Sequence, residues 1–317
     1  MNKRINATNV FRTYGTIIAG VIIIIMFSIL RPQSFATISN AINITRQISL
    51  LVVISIGATL IMAVEEFDLS IGAMASLGGV LAAKLSVNGI PVIFALLIAL
   101  AICFIIGYVN GYIVTKFKVL SFITTLAMGT IIGGFTFWFT GGSTVFENIP
   151  KGFTFLGTKT VLSLPLLSII MLLLTILFWF IMRHTVFGRK LYAIGGNEVA
   201  AQVSGLNVKM NKNLAFALCG SMAALTGMLT ASRLGSAHPT GGDGFFLSAY
   251  AAVFLGRTVF KEGVPTIWGT FIGAAILGIL ANGLTILQIP TFMQDILTGM
   301  IIITAVVVQK MGANKHE

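Results

Sequence analysis

Few residues in this chain could do chemistry, and their spacing argues against most catalysis. The nearest thing to a phosphate-cradling loop is the run from Gly79 to Lys84. No glycine precedes the lysine, so this is not a nucleotide-binding loop. His184, His238 and His316 do not cluster, which indicates no metal site. Cys103 and Cys219 each sit inside an apolar run and read as small core residues, silent about redox compartment. No nucleophile–base pair is visible. An intramembrane enzyme therefore has no support, and no cofactor or metal is expected in the chain itself.

Two polar features remain. Asn110-Gly111 and Asn282-Gly283 each place an amide inside a long apolar run. An amide facing lipid is costly, so each should face the helix bundle or a polar cavity. Interhelical hydrogen bonding and lining of a pathway are both open. The other feature is the polar stretch 183–212. There Gly195-Gly196 reads as a turn, Asn197 as an N-cap and Glu198 as a carboxylate suited to a positive helix end. Val199 to Ser204 make about two helical turns, and Gly205 suits the C-cap. Such a helix, with small Ala200 and Ala201, is too short to bury a core. The residues alone allow a knob for a partner's groove or an interfacial helix on lipid headgroups.

The chain that positions these residues is 56% hydrophobic and only 9% charged, against roughly 25% charged in an average soluble domain. Ten apolar stretches predict spans at 14–30, 44–64, 69–83, 91–114, 119–139, 162–182, 213–232, 246–256, 264–287 and 292–309. About 20 helical residues cross a hydrocarbon core of roughly 30 Å. The third and eighth spans are too short to cross as straight helices and should start from unwound segments or be extended by their flanks. With the N-terminus in the cytoplasm, 14 Lys and Arg residues fall inside and 6 outside. The positive-inside rule selects that orientation, and an even number of spans returns the C-terminus to the cytoplasm. The net charge of +11 is then mostly topogenic, and nucleic acid is not an expected partner. No small-x-small cleavage site follows the first run, which reads as an uncleaved signal anchor. The expected fold is an all-α polytopic membrane protein, with residues 1–317 as one transmembrane domain and 183–212 as a loop within it.

The halves of the chain resemble each other. Leu69 to Gly78 aligns with Leu247 to Gly256, matching Leu, Ser, Ala, Leu and Gly. Asn110-Gly111 recurs as Asn282-Gly283, and Phe122 has a counterpart in Phe292. A shift of five spans would give the two copies opposite orientation, an inverted repeat of spans 2–5 and 7–10. Transport folds often place their pathway at such a repeat interface. Asn110, Phe122, Thr124, Asn282 and Phe292 are the candidate pathway residues, polar or aromatic without charge. The 34 glycines read mainly as sites of close helix packing.

Several motifs together carry a family resemblance. They are Phe67-Asp68-Leu69-Ser70-Ile71-Gly72, Gly107-Tyr108-Val109-Asn110-Gly111, Ser121 to Leu126, and Phe187-Gly188-Arg189 running into Gly195-Gly196-Asn197-Glu198 with Ala200, Ala201 and Gly205. Gly269-Thr270, Gly273-Ala274 and Gly299 to Ile302 complete the set. The chain resembles the permease subunits of ribose/xylose/arabinose-type ATP-binding cassette importers, a family that includes autoinducer-2 importers. The resemblance spans nearly the whole chain. It departs at Glu65-Glu66-Phe67 and Gly256-Arg257, where many relatives carry glycines.

That resemblance implies coupling to an ATPase through Gly188, Arg189, Gly195, Gly196, Asn197, Glu198, Ala200, Ala201 and Gly205. It implies a second permease subunit (a homodimer or a close paralogue), a cytoplasmic ATP-binding subunit that holds ATP and Mg, and an extracytoplasmic binding protein. The expected location is the bacterial inner membrane, among its lipids. The outer loop 140–161 is the longest extracytoplasmic segment, and Glu147, Lys151 and Phe153 are its docking candidates. With so few charges, the cargo should be a small neutral sugar or polyol. The competing class is an ion-coupled secondary transporter with inverted repeats. It is disfavoured because such pumps place carboxylates or His within the bilayer, and none is visible at mid-membrane depth here.

Overall fold

A computed structural model describes residues 7–259 and 263–313. Lys3, Arg4, Lys261 and Lys315, used in the charge count above, and His316 lie outside the described residues. The chain is helical almost throughout: α1 Ala7–Leu30, α2 Ile38–Met62, α3 Ile71–Val87, α4 Val92–Phe117, α5 Ser121–Thr140, α6 Lys151–Thr158, α7 Leu166–His184, α8 Val186–Gly196, α9 Glu198–Val203, α10 Val208–Leu234, α11 Phe245–Gly256, α12 Ile267–Ile286 and α13 Thr291–Ala313. A two-residue hairpin, β1 Thr160–Val161 and β2 Leu164–Pro165, precedes α7.

Six of these helices are long and apolar enough to cross a membrane: α2, α4, α5, α7, α10 and α12. The protein is a multi-pass membrane protein. The two short spans expected from the sequence correspond to α3, of 17 residues, and α11, of 12. Each follows irregular chain, at 63–70 and 235–244.

The centre belongs to α2 and α10. Their apolar stretches are 78% and 72% buried, against 22% and 17% for α4 and α5. Composition explains the difference. α10 carries Ala215, Ala217, Gly220, Ala223, Ala224 and Gly227 on faces that α2, α3 and α4 cover. A Cβ on Gly227 would overlap the Ala75 carbonyl, and one on Gly107 the Phe216 carbonyl. Small residues let these backbones touch, which is how helices associate where lipid offers no hydrophobic gradient. α4 and α5 instead show outward rows of Leu, Ile and Phe, such as Phe94, Leu97, Ile105, Ile123 and Leu126. Cys103 and Cys219 are both buried free thiols, as their apolar context predicted.

Polar side chains in the interior are mostly consumed by backbone. Ser55, Thr59, Thr136, Thr175 and Thr226 each donate to the carbonyl four residues back. The irregular segment 63–70 is treated differently, because its amides have no helix to serve them. Phe67 N donates to Ser121 Oγ, Asp68 N to Tyr250 Oη and Leu69 N to Thr125 Oγ1. Three hydroxyls from α5 and α11 thus replace the missing helical carbonyls. Non-helical chain within a membrane protein survives only where it is satisfied in this way.

Two elements differ from the sequence reading. Gly195-Gly196 is not a free turn; both residues close α8. Phe187, Leu191 and Ile194 give α8 an apolar face at helical spacing, and Leu191 and Ile194 are buried. Gly195 is needed for contact, since a Cβ there would overlap the Ala63 carbonyl. The loop 140–161 is also not simply a loop, because α6 forms inside it.

Candidate functional site

The stretch 184–212 forms a compact bracket. Thr185 caps α8 by accepting from Gly188 N, and Gly188 packs against the Met182 carbonyl at the end of α7. Asn197 caps α9 as its sequence position predicted, its Oδ1 accepting from Ala200 N at 2.9 Å. Gly205, at a φ of 81°, adopts the left-handed geometry that ends such a helix. Asn207 then caps α10 through Met210 N.

Burial divides the predicted coupling residues. Ala201 is buried, so its side chain seats the helix on the protein. Ala200, Gly196 and Arg189 are exposed, and Glu198 is half-exposed. The outermost apolar positions of α9 are Val199, 72% exposed, and Val203, 84% exposed. Neither valine was singled out from the sequence; their position on the face opposite Ala201 was the available signal.

A small ion network ties this bracket to the core. Lys212 Nζ lies 2.8 Å from Glu198 Oε2 and 2.6 Å from Glu66 Oε1. Lys212 is 6% exposed at its side chain and Glu66 16%, so water screens this pair little. Beside it, Arg257 at the end of α11 donates to Glu65 Oε1 at 2.9 Å and to the Gly263 carbonyl at 2.8 Å. Glu65 holds a φ of 56°, unusual for a non-glycine residue. The two glutamates that looked only like a departure from the family pattern therefore join α2, α9, α10 and α11. A mostly apolar cavity of about 990 Å³ opens next to them, lined by Ala63, Glu65, Trp179, Tyr192, Pro265 and Trp268 among others.

The five predicted pathway residues do not meet. Asn110 is fully buried and donates to Ser70 Oγ at 3.0 Å. Asn282, 5% exposed, accepts from Asn40 Nδ2 at 3.0 Å, joining α12 to α2. Phe122 and Phe292 lie on the exposed surface, on α5 and α13. Thr124 is partly exposed and donates to the Leu120 carbonyl. The twin Asn-Gly steps fall into two separate interhelical clusters.

At the opposite end from α9, Glu147 and Lys151 are exposed, as a docking surface requires. Phe153 is not available to a partner: it is 1% exposed and packs into the core. Its carbonyl accepts from Ser232 Oγ at 2.6 Å, and that hydroxyl oxygen in turn accepts from Gly157 N at 2.8 Å. Gly157 sits directly on the Arg233 backbone, so α6 is fastened to the end of α10. Val145 and Ala237 exchange backbone hydrogen bonds beside it.

The bracket thus presents an exposed apolar helix and is tied by largely buried charge to the central membrane helices. The family model for the permease component of branched-chain amino acid transport systems matches residues 40–306. The chain belongs to this family. Its relatives include the ribose import permease proteins of Escherichia coli strain K12, 38% identical over 92% of both chains, and of Bacillus subtilis, 37% identical over 97% of this chain and 96% of that one. The D-allose transport system permease protein of Escherichia coli is 33% identical over 94% of this chain and 91% of its own. No solved structure matches the chain significantly. As a permease component it is a membrane part of a transport system and not the catalytic subunit.

Proposed function

We propose that this chain is the permease subunit of an ATP-binding cassette importer for a small neutral sugar or polyol. The family model's description names branched-chain amino acids, but the full-length relatives above are named for ribose and allose. The chain's scarcity of charge favours a neutral cargo over a zwitterion or a phosphate, which need counter-charges along the route. A second permease subunit, an ATP-binding subunit that holds ATP and Mg, and an extracytoplasmic binding protein complete the assembly. The ten-span topology, the inverted repeat, the single-domain organisation, the bacterial inner membrane and the cytoplasmic termini belong to the same proposal.

The observation that carries it is α9: a capped helix with an exposed valine pair, braced through Lys212 against the end of α2. In this reading α9 is the contact with the ATPase. Val199, Ala200 and Val203 touch the partner, Asn197 and Gly205 shape the helix, and Ala201, Gly188, Gly195 and Gly196 seat it. Arg189 and Glu198 supply polar contacts at its margin. The pathway runs where two permease subunits meet, with Phe122, Thr124 and Phe292 on the exposed helices, while Asn110 and Asn282 hold helices together. Glu147 and Lys151 stand at the rim of the binding-protein dock.

The experiment is Val203→Asp in membranes carrying the full assembly. The site is exposed, so membrane insertion and thermal stability should stay at wild-type values. Association of the ATPase should fall at least tenfold, because a charge placed in an apolar contact loses its hydration there. Unchanged association and uptake would remove α9 from the interface.

A further inference from the structure

The irregular segment 63–70 holds a buried carboxylate that nothing above uses. Asp68 is fully buried, and among the described residues no Lys, Arg or His lies within ion-pair distance of it. Its Oδ1 accepts from Ser70 N at 2.9 Å and from Ser70 Oγ at 2.5 Å. Its Oδ2 has no partner, and neither has Asn110 Oδ1 in the same cluster. The two orphans are linked through one hydroxyl, since Asn110 Nδ2 donates to Ser70 Oγ.

The orientation of the amide is fixed by proton count. Ser70 Oγ has a single proton, spent on Asp68 Oδ1, so only a donor can face it from Asn110. Turning Asn110 over would set two acceptors against each other. Two buried acceptors are thus left without donors, and one of them belongs to an anion without a counter-charge. Leaving both so would be expensive. The other groups that face the cluster add no positive charge. Tyr250 on α11 exchanges hydrogen bonds with the Asp68 backbone, and Cys219 on α10 is a buried free thiol. Ser121 and Thr125 on α5 are occupied with the amides of Phe67 and Leu69. Glu65 and Glu66 point away, to Arg257 and Lys212.

We infer that Asp68 is a buried proton-binding site whose unpartnered Oδ2 carries the proton. A single proton taken from water removes the uncompensated charge. A metal cation fits less well, because two free oxygens fall short of the six or more ligands that hard cations of this kind collect. The site is placed to report on the bracket. Segment 63–70 reaches α9 through Glu66 and Lys212, so displacement of α9 pulls on the chain beside Asp68. If α9 is the ATPase contact, as proposed above, opening of this segment admits water, ionises Asp68 and releases one proton per subunit.

The proton site can be tested without the transport reading. Infrared spectra of the purified full chain in detergent, titrated with pH, read the carbonyl stretch of a protonated carboxylic acid. The expected result is a band that titrates well above the ordinary carboxylate range, with its midpoint at about 6, in the wild type and is missing in Asp68→Asn. Asn110→Leu removes an amide that hydrogen-bonds the ionised carboxylate and should shift the band's midpoint up by about one pH unit, the effect of one lost hydrogen bond to the charged form. Should that variant not fold, melting of the wild type and of Asp68→Asn decides. A proton bound more tightly in the folded state makes the wild type less stable as pH rises through the titration. The Asn side chain, a mimic of the neutral acid, removes that slope. A wild-type carboxyl that titrates in the ordinary range, at about 4, overturns the proposal, and so does a band abolished by sodium or potassium at constant pH.

Discussion

The two ends of α10 are fastened by different chemistry. At its start, Lys212 bridges Glu66 and Glu198 and brings α9 against the core through charge. At its end, Ser232 clasps α6 with two neutral hydrogen bonds, Phe153 fills the core, and Gly157 lies on the backbone. Charged links are strong when complete and costly when broken. Neutral packing fails more gently. The α9 end should therefore respond sharply to the loss of one charge, and the α6 end more gradually.

The sharpest way to break that contrast is Lys212→Met. It strands two carboxylates, Glu66 in a mostly buried position, and loss of one partner of a buried pair costs about 3–5 kcal/mol. Thermal melting in detergent should fall accordingly, and ATP-driven uptake should be lost. Adding Glu66→Gln to that variant should recover a large part of the stability but not the coupling. If the double variant is no more stable than the single one, the charge account of this end is wrong.

At the α6 end, Ser232→Ala removes one donor and one acceptor together. The loss should be about 1–3 kcal/mol, and salt should hardly alter it. Protease accessibility of residues 141–165 measures it directly. A salt-sensitive loss would mean that the nearby arginines, rather than the hydroxyl, secure α6.

The smallest effect is expected from reversing the exposed charges, Glu147→Lys with Lys151→Glu. Fold stability should change by less than about 0.5 kcal/mol. Binding-protein affinity should weaken a few-fold at low ionic strength and be restored near 0.15 M salt, where exposed charges are screened over about 8 Å. Equal affinity at low salt would place the dock elsewhere.

Much of this architecture could be read from local pattern. Asn197, Glu198 and Gly205 announce α9 because capping depends on adjacent residues and their backbone conformations. The apolar stretches announce the membrane helices because span length is set by the bilayer. The short third and eighth spans pointed to the irregular chain that precedes α3 and α11. Gly195-Gly196 misled because glycine serves a turn and a close helix contact equally well, and only the approach of Ala63 separates the two.

What the sequence determined by itself, then, is the class of molecule: membrane helices, a capped α9, thiols in a core and no nucleotide loop. These depend on composition and on neighbours within a few residues. What only the tertiary structure decided is which polar groups meet. Asn110 faces Ser70, Asn282 faces Asn40, Glu66 finds Lys212 and Phe153 turns inward, through contacts between residues far apart in the chain. The physical reason is that helix periodicity places a side chain on a face, whereas rotation and packing of the helices choose its partner. Asp68 shows the difference most clearly, since only the packing of helices distant in sequence buries it fully.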